Sequence, residues 1–211
     1  TGGTQKPPQP PKKKTMEEAL KDKKEIPGFL TLYQDTTNGK LFMLVKKDQL
    51  NKEYIHFVHG LNGQINAGVF KGSYGGARVI KLNRYFNRVE FEVQNNSMYF
   101  DPENPLHRSA GANVSSAILA ASYIVAEKDG EVLIGVDNVF LSEALYQITR
   151  GFVPGGQNKN PFKIGRLAKE RTKYLSLNNY PENTDLIVQY VYSNPTPTNW
   201  GSDVGLTDPR S

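Results

Sequence analysis

The sequence predicts an α+β domain: a curved, mostly antiparallel β-sheet of about seven to nine strands with two helices packed on it. Three observations predict it. RVEFEVQ alternates without a break, with Val89, Phe91 and Val93 on one side of the pleat and Arg88, Glu90, Glu92 and Gln94 on the other. Residues 60–76 hold six glycines in seventeen positions, a density that bends or bulges strands. Two later stretches, opening at Asn113 and Asp137, space their apolar residues three and four apart, as a helix does.

Residues 1–14, TGGTQKPPQPPKKK, offer four prolines, two glycines and four lysines with nothing apolar to bury. That composition suits a flexible Pro/Lys-rich leader, or a tether that holds the domain off a membrane surface. Residues 15–193 form a single domain in this reading, and 194–211 an irregular C-terminal segment leading to a downstream domain. Thr15 is placed to cap a short helix running to about Lys24, which Ile26-Pro27-Gly28 ends.

Asn38-Gly39 sits between two β-favouring runs, so Phe29 to Gln34 is expected to pair with Lys40 to Val45. In EYIHFVH, alternation puts Tyr54, His56 and Val58 on one face and Ile55, Phe57 and His59 on the other. The two histidines therefore point apart and cannot chelate one ion. ARVIKL then turns at Asn83 to Asn87 and returns as RVEFEVQ, one long hairpin with a glycine-loaded approach.

Asn113 is expected to cap a helix whose Val114, Ile118, Ala121 and Val125 face inward, with small residues letting it lie close on the sheet. Asp129-Gly130 marks a turn before the short apolar strand EVLIGV. A second helix is expected from Asp137, with Phe140, Leu141, Ala144, Leu145 and Ile148 inward, Arg150 in its last turn and Gly151 capping it. Strands are expected at about Glu170 to Leu177 and Asp185 to Tyr192, the second a central one by its β-branched and aromatic content.

Charge and composition narrow the function. The chain has 26 basic and 21 acidic residues, but seven and four of these fall in residues 1–25, leaving 19 and 17 for the rest. Most of the basic excess thus belongs to the tail, which argues against a nucleic-acid-binding face. Cysteine is absent, so disulfides, thiolate catalysis and Cys-ligated zinc are excluded. No apolar run reaches the roughly 20 residues of a membrane-spanning helix, and these residues show no signal-peptide pattern, as is also expected of a mature, processed chain.

Motifs for chemistry fail one after another. There is no G-x-x-x-x-G-K-[ST] run, GSYGG is not a dinucleotide turn, and Ser73 lacks the G-x-S-x-G of a nucleophile elbow. H-E-x-x-H is absent. Glu90 and Glu92 share a strand face, but one that reads as solvated. Asp101, Glu103 and His107 lie in one proline-bound loop without the spacing of a known site. The expectation is no catalytic, cofactor-binding or metal-binding residue in this chain.

The run GLNGQINAG through GGARVIKLNRYFNRVEFEVQNNSMYFD, followed by the VDNVFLSEA segment, resembles the N-terminal module of unknown function in large bacterial, zinc-dependent, metzincin-like metallopeptidases. GFLTLYQDTTNGKLFMLVKKDQLNKEYIHF resembles the segment before that module, and NNYPENTDLIVQYVYS with DPRS its close, so the likeness covers nearly all of the chain after Lys14. Such modules often carry acids near the positions of Ala67 and Phe70, and no role for acids there transfers to this chain. The resemblance implies a non-catalytic, prodomain-like or accessory domain in an extracytoplasmic setting. Its implied partner is the catalytic domain of the same polypeptide, and zinc is expected in that downstream domain rather than here. A second class is a free-standing surface or periplasmic module binding peptide, glycan or lipid, for which Tyr33, Tyr54, Tyr74, Tyr85, Tyr99 and Trp200 supply aromatics. An independent hydrolase is a third.

Overall fold

A computed structural model describes residues 14–63, 70–96, 101, 103–104, 115–148 and 164–194. Eight strands form one sheet: β1 (Lys23–Ile26), β2 (Thr31–Asp35), β3 (Leu41–Val45), β4 (Glu53–His59), β5 (Tyr74–Tyr85), β6 (Arg88–Val93), β7 (Ala117–Lys128) and β8 (Glu131–Gly135). Their order is β1-β2-β3-β8-β7-β6-β5-β4, every neighbouring pair is antiparallel, and the sheet curls into a half-barrel. Two short helices accompany it, α1 (Met16–Leu20) and α2 (Asp137–Phe140). The expected fold class is the one observed.

Thr15 caps α1 as expected, its hydroxyl accepting from Glu18 N while the Glu18 carboxylate accepts from the Thr15 amide. The helix is shorter than expected. Asp22 takes a φ of 60°, which stops it, and residues 23–26 become β1, an added edge on the predicted hairpin. That hairpin is present: Thr31 pairs with Leu44 and Gln34 with Leu41. Its loop is set by Asp35, whose carboxylate accepts from the amides of Thr37 and Asn38, and by Gly39 at φ 74°. The β5–β6 turn is tighter than expected, since Tyr85 already pairs with Arg88 and only Phe86 and Asn87 lie between. Asp129 and Gly130 both have positive φ and join β7 to β8, as expected.

The helix expected from Asn113 to about Val125 is a strand, β7. Its apolar spacing misleads for a physical reason. One β-bulge lies opposite Phe91/Glu92 and another between Ile124 and Ala126, and each adds a residue to the strand. The outward positions become Ile118, Ala121, Tyr123 and Ala126, so a period of two is stretched towards the three-and-four spacing of a helix. Asn113 itself lies outside the described residues. The second bulge leaves the Val125 carbonyl free to accept from the amide of Lys14, 3.0 Å away.

The second helix is also shorter than expected. α2 spans four residues, and the chain turns through 141–145 with Leu145 buried; Arg150 and Gly151 are outside the described residues. The expected C-terminal strands exist as β10 (Lys173–Asn179) and β11 (Thr184–Gln189), but they pair as a separate ribbon, so LIVQYVY is not a central strand of the large sheet. A smaller pair, β9 (Arg166–Leu167) with β12 (Tyr192–Ser193), flanks it.

Two apolar layers result. On the inner face Leu32, Leu41, Met43, Val89, Phe91, Ile124 and Ile134 form the main core, and Tyr174, Leu177 and Leu186 of the ribbon pack against it. On the outer face Met16 and Ala19 of α1 cover Leu44, Ala126 and Leu133. The helix protects only the β3–β8–β7 part of that face.

Candidate docking face

The outer face towards β4 carries exposed apolar side chains that no described element covers. Ile55 is 79% exposed, Phe57 57% and Tyr74 63%. The two sets separate as the sequence predicts, with Ile55, Phe57 and His59 outward and Tyr54, His56 and Val58 half-buried inward. Phe57 touches the Tyr74 ring across the strand pair, with centroids 5.2 Å apart, and stacks at 12° on His59 along its own strand. Ala77 pairs with Phe57 and Val79 with Ile55, extending the apolar strip onto β5.

Glycine builds the end of this rim. The β4–β5 register slips between Val58 and His59, so that Gly76 faces Val58 and Tyr74 faces His59. Gly75 is skipped at the bulge, and a Cβ there would lie 2.8 Å from Val58 Cγ1 and 2.9 Å from Tyr146. Gly76 sits at φ 108°, where side chains are strained. The expected bulging of the Gly-rich segment is therefore observed at its described end; residues 64–69 lie outside the description.

Beyond this strip charged pairs join exposed Tyr85 and Ile118 on the outer face. Glu53 pairs with Lys81 at 3.1 Å, and Arg88 bonds Glu90 at 2.7 Å while lying over the Tyr85 ring. Glu90 is only 7% exposed, which corrects the expectation of a solvated strand face: β6 lies inside the sheet, between β5 and β7. Glu92 accepts hydrogen bonds from Ser116, Gln94 and Asn83, and these hold its carboxyl below the usual range. A general acid at neutral pH needs the opposite direction. Asp101 serves a local turn, accepting from the Glu103 and Asn104 amides; His107 lies outside the described residues. No group of three or more His, Cys, Asp or Glu that could hold a metal occurs among the described residues.

On the inner face His56 sits beside Arg78, its partner in the register. Burial first, and the Arg78 charge second, hold the imidazole below its ordinary value of 6.5. An unfolded chain takes up this proton near pH 6.5 while the folded one resists. The stability tied to His56 is therefore full above that pH and is lost as pH falls below it. Denaturant melts at pH 7 and pH 5 check this: His56→Gln is expected to lose less stability over that interval than the parent chain, and an equal loss contradicts it.

Sequence reasoning missed a polar cluster under α2. Asp137 accepts from the Leu41 amide and from the Tyr174 hydroxyl, each at 3.0 Å. Tyr190 donates to the Phe140 and Ser142 carbonyls, and Tyr192 to Glu143 at 2.6 Å. Burial pushes all three phenols up, Tyr190 to about 12, so they stay protonated donors. The cluster ties the C-terminal strands to the sheet. No local signal marks it, because Asp137 reads as an ordinary helix start.

Of the aromatics on which a binding module would draw, and for which packing is the main expectation, Tyr33 packs under α1 and Tyr54 in the inner core, while Tyr74 and Tyr85 are exposed. Tyr99 and Trp200 are outside the described residues. A groove of about 640 Å³ opens between β1–β2 and β10, lined by Lys24, Ile26, Gln34, Ser176, Asn178 and Tyr180 among others. No helix among the described residues is long and apolar enough to cross a membrane. Comparison with known families, curated proteins and solved structures finds no match to the chain.

Proposed function

We propose that this chain is a non-catalytic N-terminal domain of a secreted or periplasmic zinc metallopeptidase, and that it docks on the catalytic domain of the same polypeptide as a prodomain or accessory module. The observation that carries the reading is the strip of Ile55, Phe57 and Tyr74, exposed among the described residues, on a sheet whose inner face packs the main core. Apolar rims of this kind mark interaction surfaces, and aromatic residues dominate binding at such sites. The resemblance of the segments from Gly28 to Ser193 to metallopeptidase N-terminal modules supplies the partner. Zinc belongs to that partner.

The second reading, a free-standing module for a peptide, glycan or lipid, draws on the open groove beside β10. That groove is lined mainly by polar side chains and holds one exposed ring, Tyr180, so it suits a polar ligand better than an apolar one. Reading the coding sequence past Ser211 separates the two. A downstream H-E-x-x-H helix supports the docking reading, and its absence there overturns it.

A further inference from the structure

Strand β4 ends the eight-stranded sheet, and among the described residues it pairs only with β5. Free edges are usually blunted by lysine, proline or a covering element. At the opposite end of the sheet β1 follows that rule, with Lys23 and Lys24 in the strand and Pro27 directly after it. Between Glu53 and His59 there is neither lysine nor proline. The edge is seven residues long and left open among the described residues.

EYIHFVH is also complementary to itself. About His56, Glu53 mirrors His59, Tyr54 mirrors Val58 and Ile55 mirrors Phe57. We propose that β4 pairs antiparallel with β4 of a second copy of this chain, on a two-fold axis through His56, so that the two eight-stranded sheets run on as one. On the outer face each end of the seam sets Glu53 opposite the partner subunit's His59, a carboxylate accepting from an imidazole N–H. In the middle, Ile55 lies against the partner subunit's Phe57, as cross-strand apolar pairs prefer. Inward, Tyr54 meets the partner subunit's Val58, and the two His56 rings meet at the axis beside Arg78 of each sheet. Slipping the register by two residues sets Glu53 opposite either Phe57 or nothing in the strand, so the charge pattern selects one alignment. Lys52 then faces Gly60 and meets no like charge.

This pairing uses the strand edge and leaves the outer face open. It therefore joins the two apolar strips into one band and gives a docking partner two adjacent sites. The pairing does not depend on what docks there.

A seam of one short strand per copy is smaller than a standard stable interface, so a dissociation constant on the order of 10–100 μM is expected. Analytical ultracentrifugation of the full chain, from a few micromolar to several hundred, reads it directly. His59→Glu sets two carboxylates face to face, and Glu53→Lys sets an ammonium against the imidazole. Each variant alone is expected to raise the dissociation constant at least tenfold. An equimolar mixture is expected to recover a heterodimer of near-parental affinity, because the ammonium introduced by Glu53→Lys in one copy then meets the carboxylate introduced by His59→Glu in the other. Far-UV circular dichroism establishes that both variants keep the fold. A chain that stays monomeric throughout overturns the proposal, as does a dimer that His59→Glu leaves unweakened or a mixture no tighter than the variants alone.

Discussion

Replacing Phe91 by alanine is expected to cost about 3–5 kcal/mol of folding free energy, the range for emptying a large aromatic position in a packed core. Phe91 is 2% exposed, and its ring meets Phe140 edge-on at 6.3 Å. It lies where β6, β7 and α2 converge, between Leu82 of β5 and Ala120 of β7. Its neighbours belong to paired strands and cannot collapse into the void without breaking register, so the cavity stays open. Urea denaturation with the slope held in common measures the loss. A change below about 1 kcal/mol contradicts the assignment of Phe91 to the centre of the core.

Asp137→Ala is the second large effect, expected at about 2–4 kcal/mol. The carboxylate serves two donors from distant parts of the chain, the Leu41 amide of β3 and the Tyr174 hydroxyl of β10. Leu41 is 1% exposed, and its amide has no water to turn to once the acceptor is gone. Leaving one buried donor unsatisfied costs about 1–3 kcal/mol, and alanine leaves two. Asp137→Asn retains an acceptor oxygen and is expected to lose about half as much. Tyr174→Phe removes only one donor and tests the pairing: combined with Asp137→Ala, the two losses should fall short of additive. Full additivity contradicts a direct bond between the ribbon and the sheet.

Part of this architecture is legible in the sequence because local chemistry and tertiary position agree. Asp129-Gly130 and the Thr15 cap act within a few residues and as the sequence predicts, and the hairpin around Asn38-Gly39 forms, though of that pair only Gly39 takes a positive φ and Asp35 sets the loop. RVEFEVQ reads as half-solvated because its polar residues alternate. Its place inside the sheet, which buries Glu90 against Arg88, depends on partners about 30 residues away in β7. The small-residue segment after Asn113 misleads for a different reason. Two bulges in β7 stretch its alternation into helical spacing, and a bulge is a property of two strands together.

The rim is half-legible. Alternation in EYIHFVH correctly separates Ile55, Phe57 and His59 from Tyr54, His56 and Val58, but both sets hold apolar and aromatic residues. Nothing in that stretch says which set meets the core. The neighbours decide it: Tyr54 turns in to bond the Gln49 carbonyl and meet Phe29, which leaves Phe57 outside. The tyrosine–carboxylate cluster under α2 is invisible in the sequence, since its members lie up to 55 residues apart and each is ordinary alone.

The most direct test of the account is a binding titration between this chain and the metallopeptidase catalytic domain that the proposed function assigns as its partner. Association at micromolar concentrations or tighter is expected, with Phe57→Lys weakening it at least tenfold while the fold persists, because a charge then has to be buried at the middle of the rim. No association in that range, or an affinity that Phe57→Lys leaves unchanged, contradicts the assignment of this face as the docking surface.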